Sequence, residues 1–268
     1  MEHSASERVS EIKSFISTSS KETIIHPTAI IEKTVRLGQG VTVGPFAVIS
    51  GNTTIGDGVH ISSHAIIGSS AQSTGITTPL GSIFIGEKTI IKEFVTIGSS
   101  RFEDGATRIG RECFLMNYAH VAHDCVLEDR VELTNNVQLG GHTHIEHDVR
   151  MMANAATHQR CRIGAYSAVA PYAGTRQDLP PFCLFNEVPA KFAGLNKFKL
   201  KQANIPQESI ENLRGITRLF YQEKSSIDAI IAKISNDPLL SQDRYVQQFI
   251  GFVQESQRGV SRKRIGDS

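Results

Sequence analysis

Aliphatic side chains recur at every sixth residue along the first two thirds of the chain. The series runs from Ile25 through Ile31, Leu37, Val43, Ile49, Ile55 and Ile61 to Ile67. It resumes in the same frame at Ile85, Ile91 and Ile97, and again from Ile109 to Val169, with Thr157 as the polar break in that last stretch. Four residues after each aliphatic stands a small or β-branched side chain, such as Ala29, Val41, Val59, Cys113, Ala119, Cys125 or Val137. Gly often follows the aliphatic, as at Gly38, Gly44, Gly56 and Gly110. An α-helix turns by about 600° in six residues, so successive repeats would face three directions and no apolar stripe would form. A short strand and a corner in every six residues fits instead. Three such sides close an 18-residue triangular coil with its aliphatics inside, and coils stack about 4.8 Å apart, the distance between paired strands. The chain is therefore expected to be an all-β repeat, a parallel β-helix of hexapeptide repeats over residues 23–182.

Two stretches, 69–84 and 99–108, break the frame and are expected to be loops thrown out of the coil, where binding function often sits. The pattern fades after Val169 and ends at Pro180-Pro181. From about Pro206 the period becomes helical, with one apolar face through Ile210, Leu213, Ile216 and Phe220. A second runs through Ile227, Ile230, Ile231 and Ile234, and a third through Tyr245, Phe249, Phe252 and Val253; Asp237-Pro238 punctuates them. Residues 183–268 thus read as a linker and a small C-terminal helical domain. Residues 1–22 read as an N-terminal extension, helical over 5–18.

Composition narrows the function classes. Lys and Arg number 28 against 27 Asp and Glu, a net charge of +1, so no global field draws in nucleic acid or a membrane surface. The four cysteines, Cys113, Cys125, Cys161 and Cys183, are scattered and contain no C-x-x-C pair, which reads as reduced thiols in a cytoplasmic protein. Cys113, Cys125 and Cys161 stand at the small inward position of the repeat, where packing rather than nucleophilic chemistry is expected. No signal peptide and no membrane-spanning segment is expected, since the N-terminus lacks an apolar core and no apolar run is long enough to span a bilayer.

Six of the ten histidines fall between 120 and 158. The segment Asn117-Tyr118-Ala119-His120-Val121-Ala122-His123-Asp124-Cys125 resembles the signature of the UDP-N-acetylglucosamine acyltransferase family of lipid A biosynthesis. So do Leu139-Gly140-Gly141-His142 and Ala156-Thr157-His158-Gln159, and Gly194-Leu195-Asn196 and Ser256-Gln257-Arg258-Gly259 match its helical-domain segments. The resemblance covers residues 24–262. It implies a left-handed β-helix, a homotrimer, no cofactor, and a fatty acyl group, often 3-hydroxylated, moved from the phosphopantetheine thioester of acyl-carrier protein to the sugar of UDP-N-acetylglucosamine or a close relative. This is the first step of lipid A synthesis. It also implies His123 as the general base, Asp124 as the group that orients it, and the Gly141 amide as the oxyanion donor. His120, His142, His158, Gln159 and Asn196 match positions that contact substrate.

Spacing agrees with that chemistry. With an 18-residue coil, Gly141 lies one coil above His123 and His142 one coil above Asp124. Acyl transfer to a hydroxyl needs a base for the proton and a donor for the oxyanion, and both stand about one strand spacing apart. An alternative is a zinc site like that of γ-class carbonic anhydrases, with His120, His123, His142 and His144 as ligands. Lys191, Lys197, Lys199, Lys201, Arg214 and Arg218 gather positive charge that could steer an acidic carrier protein.

The departures from the family lie on the acceptor side. The family's first loop carries an Asp and a Lys, whereas Gly68-Ser69-Ser70-Ala71-Gln72-Ser73-Thr74-Gly75 and the residues after it are uncharged. An Arg pair before the helices is replaced by Gln202-Ala203, and a His-Arg-Gly run by Gly98-Ser99-Ser100. Fewer cations beside a diphosphate is a large electrostatic change, so an amino sugar nucleotide is a second candidate acceptor.

Overall fold

The computed structural model describes residues 22–262 and Gly266. The helix expected over 5–18 lies outside the described residues. Each hexapeptide supplies a short strand and a corner, and the strands sort by turns into three parallel sheets that wall a left-handed triangular prism. The first sheet runs from Ile24–Ile25 to Lys191–Leu195 in ten strands. The second runs from Ile30–Ile31 to Gly174–Thr175 in eight, and the third from Arg36–Leu37 to Arg162–Ile163 in seven. Parallel crossovers are right-handed almost everywhere because twisted strands feed packed helices. Here most strands have two residues, accumulate little twist and are joined by corners rather than helices.

The corners explain how side chains outside the core are held. The second corner residue takes a positive φ in coil after coil, as at Tyr118 (64°), Asp124 (61°), His142 (59°) and Arg160 (63°). For a residue with a Cβ this costs about 1–2 kcal/mol. It also turns the N–H along the prism axis, so that the His142 amide donates to the His123 carbonyl at 3.0 Å and the Arg160 amide to the Gly141 carbonyl at 2.9 Å. Inside, the aliphatics of the repeat are buried from Val41 onward, while Ile25, on the open first coil, is 46% exposed.

The stacking register is 18 residues through most of the prism, as in Thr42 opposite His60 and His120 opposite Gln138. It jumps to 30 across the first break (His60 opposite Ile90) and to 24 across the second (Ile90 opposite Phe114). Both insertions are whole multiples of six, so the frame resumes in phase. The loops are shorter than the broken pattern implies. Ser82–Ile85 and Ala106–Ile109 are strands that pair with Asn52–Ile55 and with each other, leaving residues 70–81 and 99–105 as the excursions.

At the C-terminal end Cys183–Asn186 still pairs in parallel with Ala168–Val169, so the first sheet runs on past Pro180-Pro181 and past position 182. It then turns back as an antiparallel hairpin with Lys191–Leu195. Among the described residues five helices follow: α1 (Lys197–Gln202), α2 (Gln207–Gln222), α3 (Ile227–Ser235), α4 (Pro238–Gln242) and α5 (Arg244–Glu255). Leu213, Ile216 and Phe220 of α2 share the buried core with Val246, Phe249 and Ile250 of α5, where the Phe220 ring meets the Phe249 ring edge-on at 5.4 Å, and Tyr221 stacks on Phe192. Asp237 and Asp243 cap α4 and α5 by accepting from the amides of their first turns. Arg162 joins the two parts, pairing with Glu146 on the prism at 2.6 Å and with Glu255 of α5 at 2.9 Å.

One surface pair ties neighbouring coils at another edge. Asp148 accepts from His147 Nδ1 at 2.9 Å and from Arg130 Nη2 at 2.7 Å. Burial alone would raise the Asp148 pKa, but His147 and Arg130 outweigh it and hold the carboxyl at about 2. A depressed carboxyl contributes stability that is present above its unfolded pKa of about 3.9 and is lost as pH falls towards the folded value. Asp148→Asn is expected to destabilise the fold by about 1–2 kcal/mol at pH 7. Urea unfolding should show that difference shrinking between about pH 4 and pH 2; a gap that stays constant with pH would refute the assignment.

Candidate active site

Both loops leave the same edge of the prism, since each joins a strand of the second sheet to one of the third. His123, Asp124, Gly141, His142, His158 and Gln159 all lie in corners of that edge.

The His123 side chain leaves the coil but is only 11% exposed, because the loop at 99–105 folds over its neighbour Asp124. His123 Nδ1 lies 2.9 Å from Asp124 Oδ2. With the proton on Nδ1 donated to the carboxylate, Nε2 carries a lone pair. Nε2 has no hydrogen-bond partner among the described residues. Asp124 is held from three further directions: Ser100 Oγ donates to Oδ1, the Arg101 amide donates to Oδ2 at 3.3 Å, and its own amide donates to Thr107 Oγ1 at 2.8 Å. Burial pushes the Asp124 pKa up, but the bonds from Ser100, His123 and Arg101 together bring it below the usual carboxylate range, so the group stays ionised.

Gly141 lies directly on the His123 ring. A Cβ there would stand 2.5 Å from His123 Cε1 and 2.7 Å from Nε2. The peptide before it is fixed from inside the coil. The Gly140 carbonyl accepts from Thr143 Oγ1 at 2.6 Å and from Cys125 Sγ at 3.2 Å. Because the peptide is trans, the Gly141 N–H points the opposite way. It has no acceptor among the described residues. Thr157, the polar break in the repeat, is part of this support: its Oγ1 lies 2.9 Å from Thr143 Oγ1 and 3.3 Å from the Gly140 amide.

The other sequence-predicted residues divide. His142 sits one coil beyond Asp124, with Nε2 3.7 Å from Asp124 Oδ2 and its ring edge-on to His123. His120 lies on the second sheet just before the corner, Nδ1 2.7 Å from Thr96 Oγ1, and burial lowers its pKa. His158 and Gln159 are exposed in the next corner. Asn196 stands apart from them: it caps α1 through Lys199 N–H and donates to the Tyr166 carbonyl at 2.8 Å, at a different edge. The four-histidine zinc set is not brought together either, because His144 bonds Glu128 at 2.9 Å on the third sheet. A tighter group, His123, Asp124 and His142, has ligand atoms within 4.8 Å of one another. The basic cluster is thinner than expected. Lys199 is buried against Glu132 at 3.0 Å, Lys191 pairs with Glu187 and Arg214 with Glu211, leaving Lys197, Lys201 and Arg218 exposed. Burial pushes the Cys113 and Cys125 thiols up to about 12 and Cys161 to about 11, which keeps all three protonated near neutral pH.

Known proteins are similar to this chain along nearly its whole length. Residues 34–69 match the bacterial transferase hexapeptide model, and residues 178–261 match the second domain of UDP N-acetylglucosamine O-acyltransferases. A Janthinobacterium protein named acyl-[acyl-carrier-protein]–UDP-N-acetylglucosamine O-acyltransferase is 35% identical over 260 residues, which cover 89% of this chain and 99% of the relative. The chain belongs to the UDP-N-acetylglucosamine O-acyltransferase family. A Thiobacillus denitrificans protein of the same name is 34% identical with equal coverage. The UDP-N-acetylglucosamine acyltransferase of Campylobacter jejuni superposes with a TM-score of 0.81 at 27% identity, covering 90% of this chain and all of that one. The enzyme from Moraxella catarrhalis gives 0.79 at 29% identity, over 89% and 99% of the two chains. The acyltransferase-family signature does not by itself disclose Ser100, Thr107, Thr143 or the role of Thr157. Ser100 could be found by allowing for the second loop, since Asp124 then stacks at 24 residues rather than 18.

Proposed function

We propose that this chain is an acyl-[acyl-carrier-protein]-dependent O-acyltransferase that acts on the sugar hydroxyl of UDP-N-acetylglucosamine, the first step of lipid A synthesis. The observation that carries the reading is the juxtaposition of His123 Nε2 with the unpartnered Gly141 N–H. Nε2 takes the proton of the acceptor hydroxyl as its oxygen attacks the thioester carbon. The negative charge that develops on the thioester oxygen meets the Gly141 amide. Collapse breaks the C–S bond, and the proton on Nε2 passes to the departing phosphopantetheine thiolate. Asp124 holds the imidazole in the tautomer this needs and stabilises the imidazolium between the two transfers. The reaction calls on no group beyond the thioester itself.

The site opens on the outer wall of a prism, so a second wall is needed to exclude water. We place that wall on a neighbouring copy in a homotrimer, with an acidic carrier protein steered to Lys197, Lys201 and Arg218. No helix among the described residues is long and apolar enough to cross a membrane, and buried thiols that stay reduced suit the cytoplasm. Single-turnover transfer from a panel of acyl-carrier thioesters to UDP-N-acetylglucosamine, with the assembly mass followed by light scattering, tests the reading. Transfer by a three-chain species is the expected result. A monomer, or a protein that transfers to no nucleotide sugar, would overturn it. Zinc bound stoichiometrically by His123, Asp124 and His142 would favour the metal reading instead.

A further inference from the structure

The edge that carries His123 also carries four arginines. Arg101 leaves the loop at 99–105 with its guanidinium carbon 5.4 Å from the Phe102 ring, and that ring lies 6.2 Å from the His142 ring. Arg101 Nε is buried and has no hydrogen-bond partner. Arg160 holds the corner position one coil beyond His142. Burial first, then the charges of Arg160 and Arg101 among others, lower the His142 pKa against the opposing pull of Asp124.

One coil further along, Arg258 reaches in from the C-terminal segment. Its Nη2 lies 3.2 Å from His158 Nδ1, and its Nε and Nη2 donate to the Arg176 carbonyl at 3.2 and 3.0 Å. The segment is held in place on both sides of Arg258. Asp178, 2% exposed, accepts from Ser256 Oγ at 2.6 Å, and its backbone bonds Gly259 and Ser261. Arg176 is exposed beside it.

Among the described residues, Arg111, Arg130, Arg150, Arg162 and Arg214 each stand within ion-pair distance of a carboxylate. None of Arg101, Arg160, Arg176 and Arg258 does. Like charges on one edge repel, and a buried Nε without an acceptor is costly, unless an anion supplies what is missing. Arg160 and Arg258 fall on neighbouring rungs, roughly 4.8 Å apart, a separation that two linked phosphates can span; Arg101 comes from the loop three rungs before Arg160, and its charge, like that of Arg160, acts on the His142 ring that lies between them.

We propose that Arg101 and Arg160, together with Arg258 of the family-like C-terminal segment, form the anion site for the diphosphate of the nucleotide sugar, with Arg101 and Arg160 standing in for the family's cations that are absent from residues 69–82 and from Gln202-Ala203. The proposal rests on the acyltransferase reading for the identity of its ligand. A phosphate ester is the shared chemistry, and the phosphodiester of the donor's pantetheine arm is the other source.

The test is calorimetry of the full chain with uridine diphosphate as the probe, at low and high salt. Arg101→Gln, Arg160→Gln and Arg258→Gln are each expected to weaken binding about tenfold or more, as for a charged hydrogen bond removed, and to flatten the salt dependence. Arg160→Lys should recover part of the loss. Arg36→Ala, exposed on an early coil of the third sheet, should bind as the native chain does. Thermal unfolding checks that each variant is folded. In turnover, KM for the acceptor should rise with kcat little changed. Native-strength diphosphate binding in all three Gln variants would overturn the proposal. So would variants that weaken only acyl-phosphopantetheine, which would assign the arginines to the donor. Binding needs no turnover: a chain that transfers no acyl group yet binds the diphosphate through these arginines keeps the site and loses the reaction, and the reverse outcome does the opposite.

Discussion

His123→Ala is expected to slow acyl transfer by at least about 100-fold, the usual cost of losing a positioned general base, while leaving the prism standing. The side chain lies outside the coil, and its removal changes no inward aliphatic. Asp124 keeps Ser100 Oγ and the Arg101 amide when the imidazole goes. The stability lost should therefore be about 1 kcal/mol, the net worth of one hydrogen bond. His120→Ala provides the comparison. Its ring is engaged by Thr96 and sits on the strand before the corner, so transfer should fall less. Single-turnover rates with donor and acceptor saturating decide between them. Near-native transfer by His123→Ala would remove the base from the mechanism.

Gly141→Ala is expected to be as damaging for a different reason. The added methyl would stand 2.5 Å from His123 Cε1, so the ring must swing off the glycine and give up its bond to Asp124. The same methyl narrows the approach to the Gly141 amide. Base and oxyanion donor are thus disturbed together, and a loss of about 10²–10³ in kcat is expected. The coil should tolerate the change, because Gly141 is not among the glycines with positive φ. Gly68 is different: its φ is 96° and a Cβ would meet the Ser50 carbonyl oxygen at 2.1 Å. A melting temperature near that of the native chain, combined with lost transfer, is the signature to look for in Gly141→Ala. Activity within a few-fold of native would mean that the amide does not serve the oxyanion.

These two expectations draw on residues whose adjacency was already legible in the sequence. A six-residue period fixes which side chains point inward, and three sides put position 141 over position 123. The same arithmetic misses contacts wherever the period is interrupted. Ser100 reaches Asp124 only because the second loop adds six residues to its coil. Thr157 looks like a flaw in the aliphatic frame, yet with Thr143 it orients the peptide that presents the Gly141 amide. Arg258 meets His158 from 100 residues away, through a C-terminal segment whose path is set by Asp178 and Ser256. Lys199 illustrates the opposite error: it reads as part of a basic surface, but it is buried against the outer face of the prism, paired with Glu132. The broken pattern overstates the loops, because Ser82–Ile85 and Ala106–Ile109 keep strand pairing even where the outer pattern is irregular.

The placement of the base, its carboxylate, the oxyanion donor and the arginines along one edge, rung by rung, bears on how such an enzyme can diverge. In a stack of coils each rung touches mainly the rungs beside it. The rungs of His123 and Gly141 can stay fixed while an arginine is gained on a later rung or lost from a loop, without repacking a shared centre. Descendants of one scaffold can thus exchange the sugar they accept and inherit the proton-transfer apparatus unaltered.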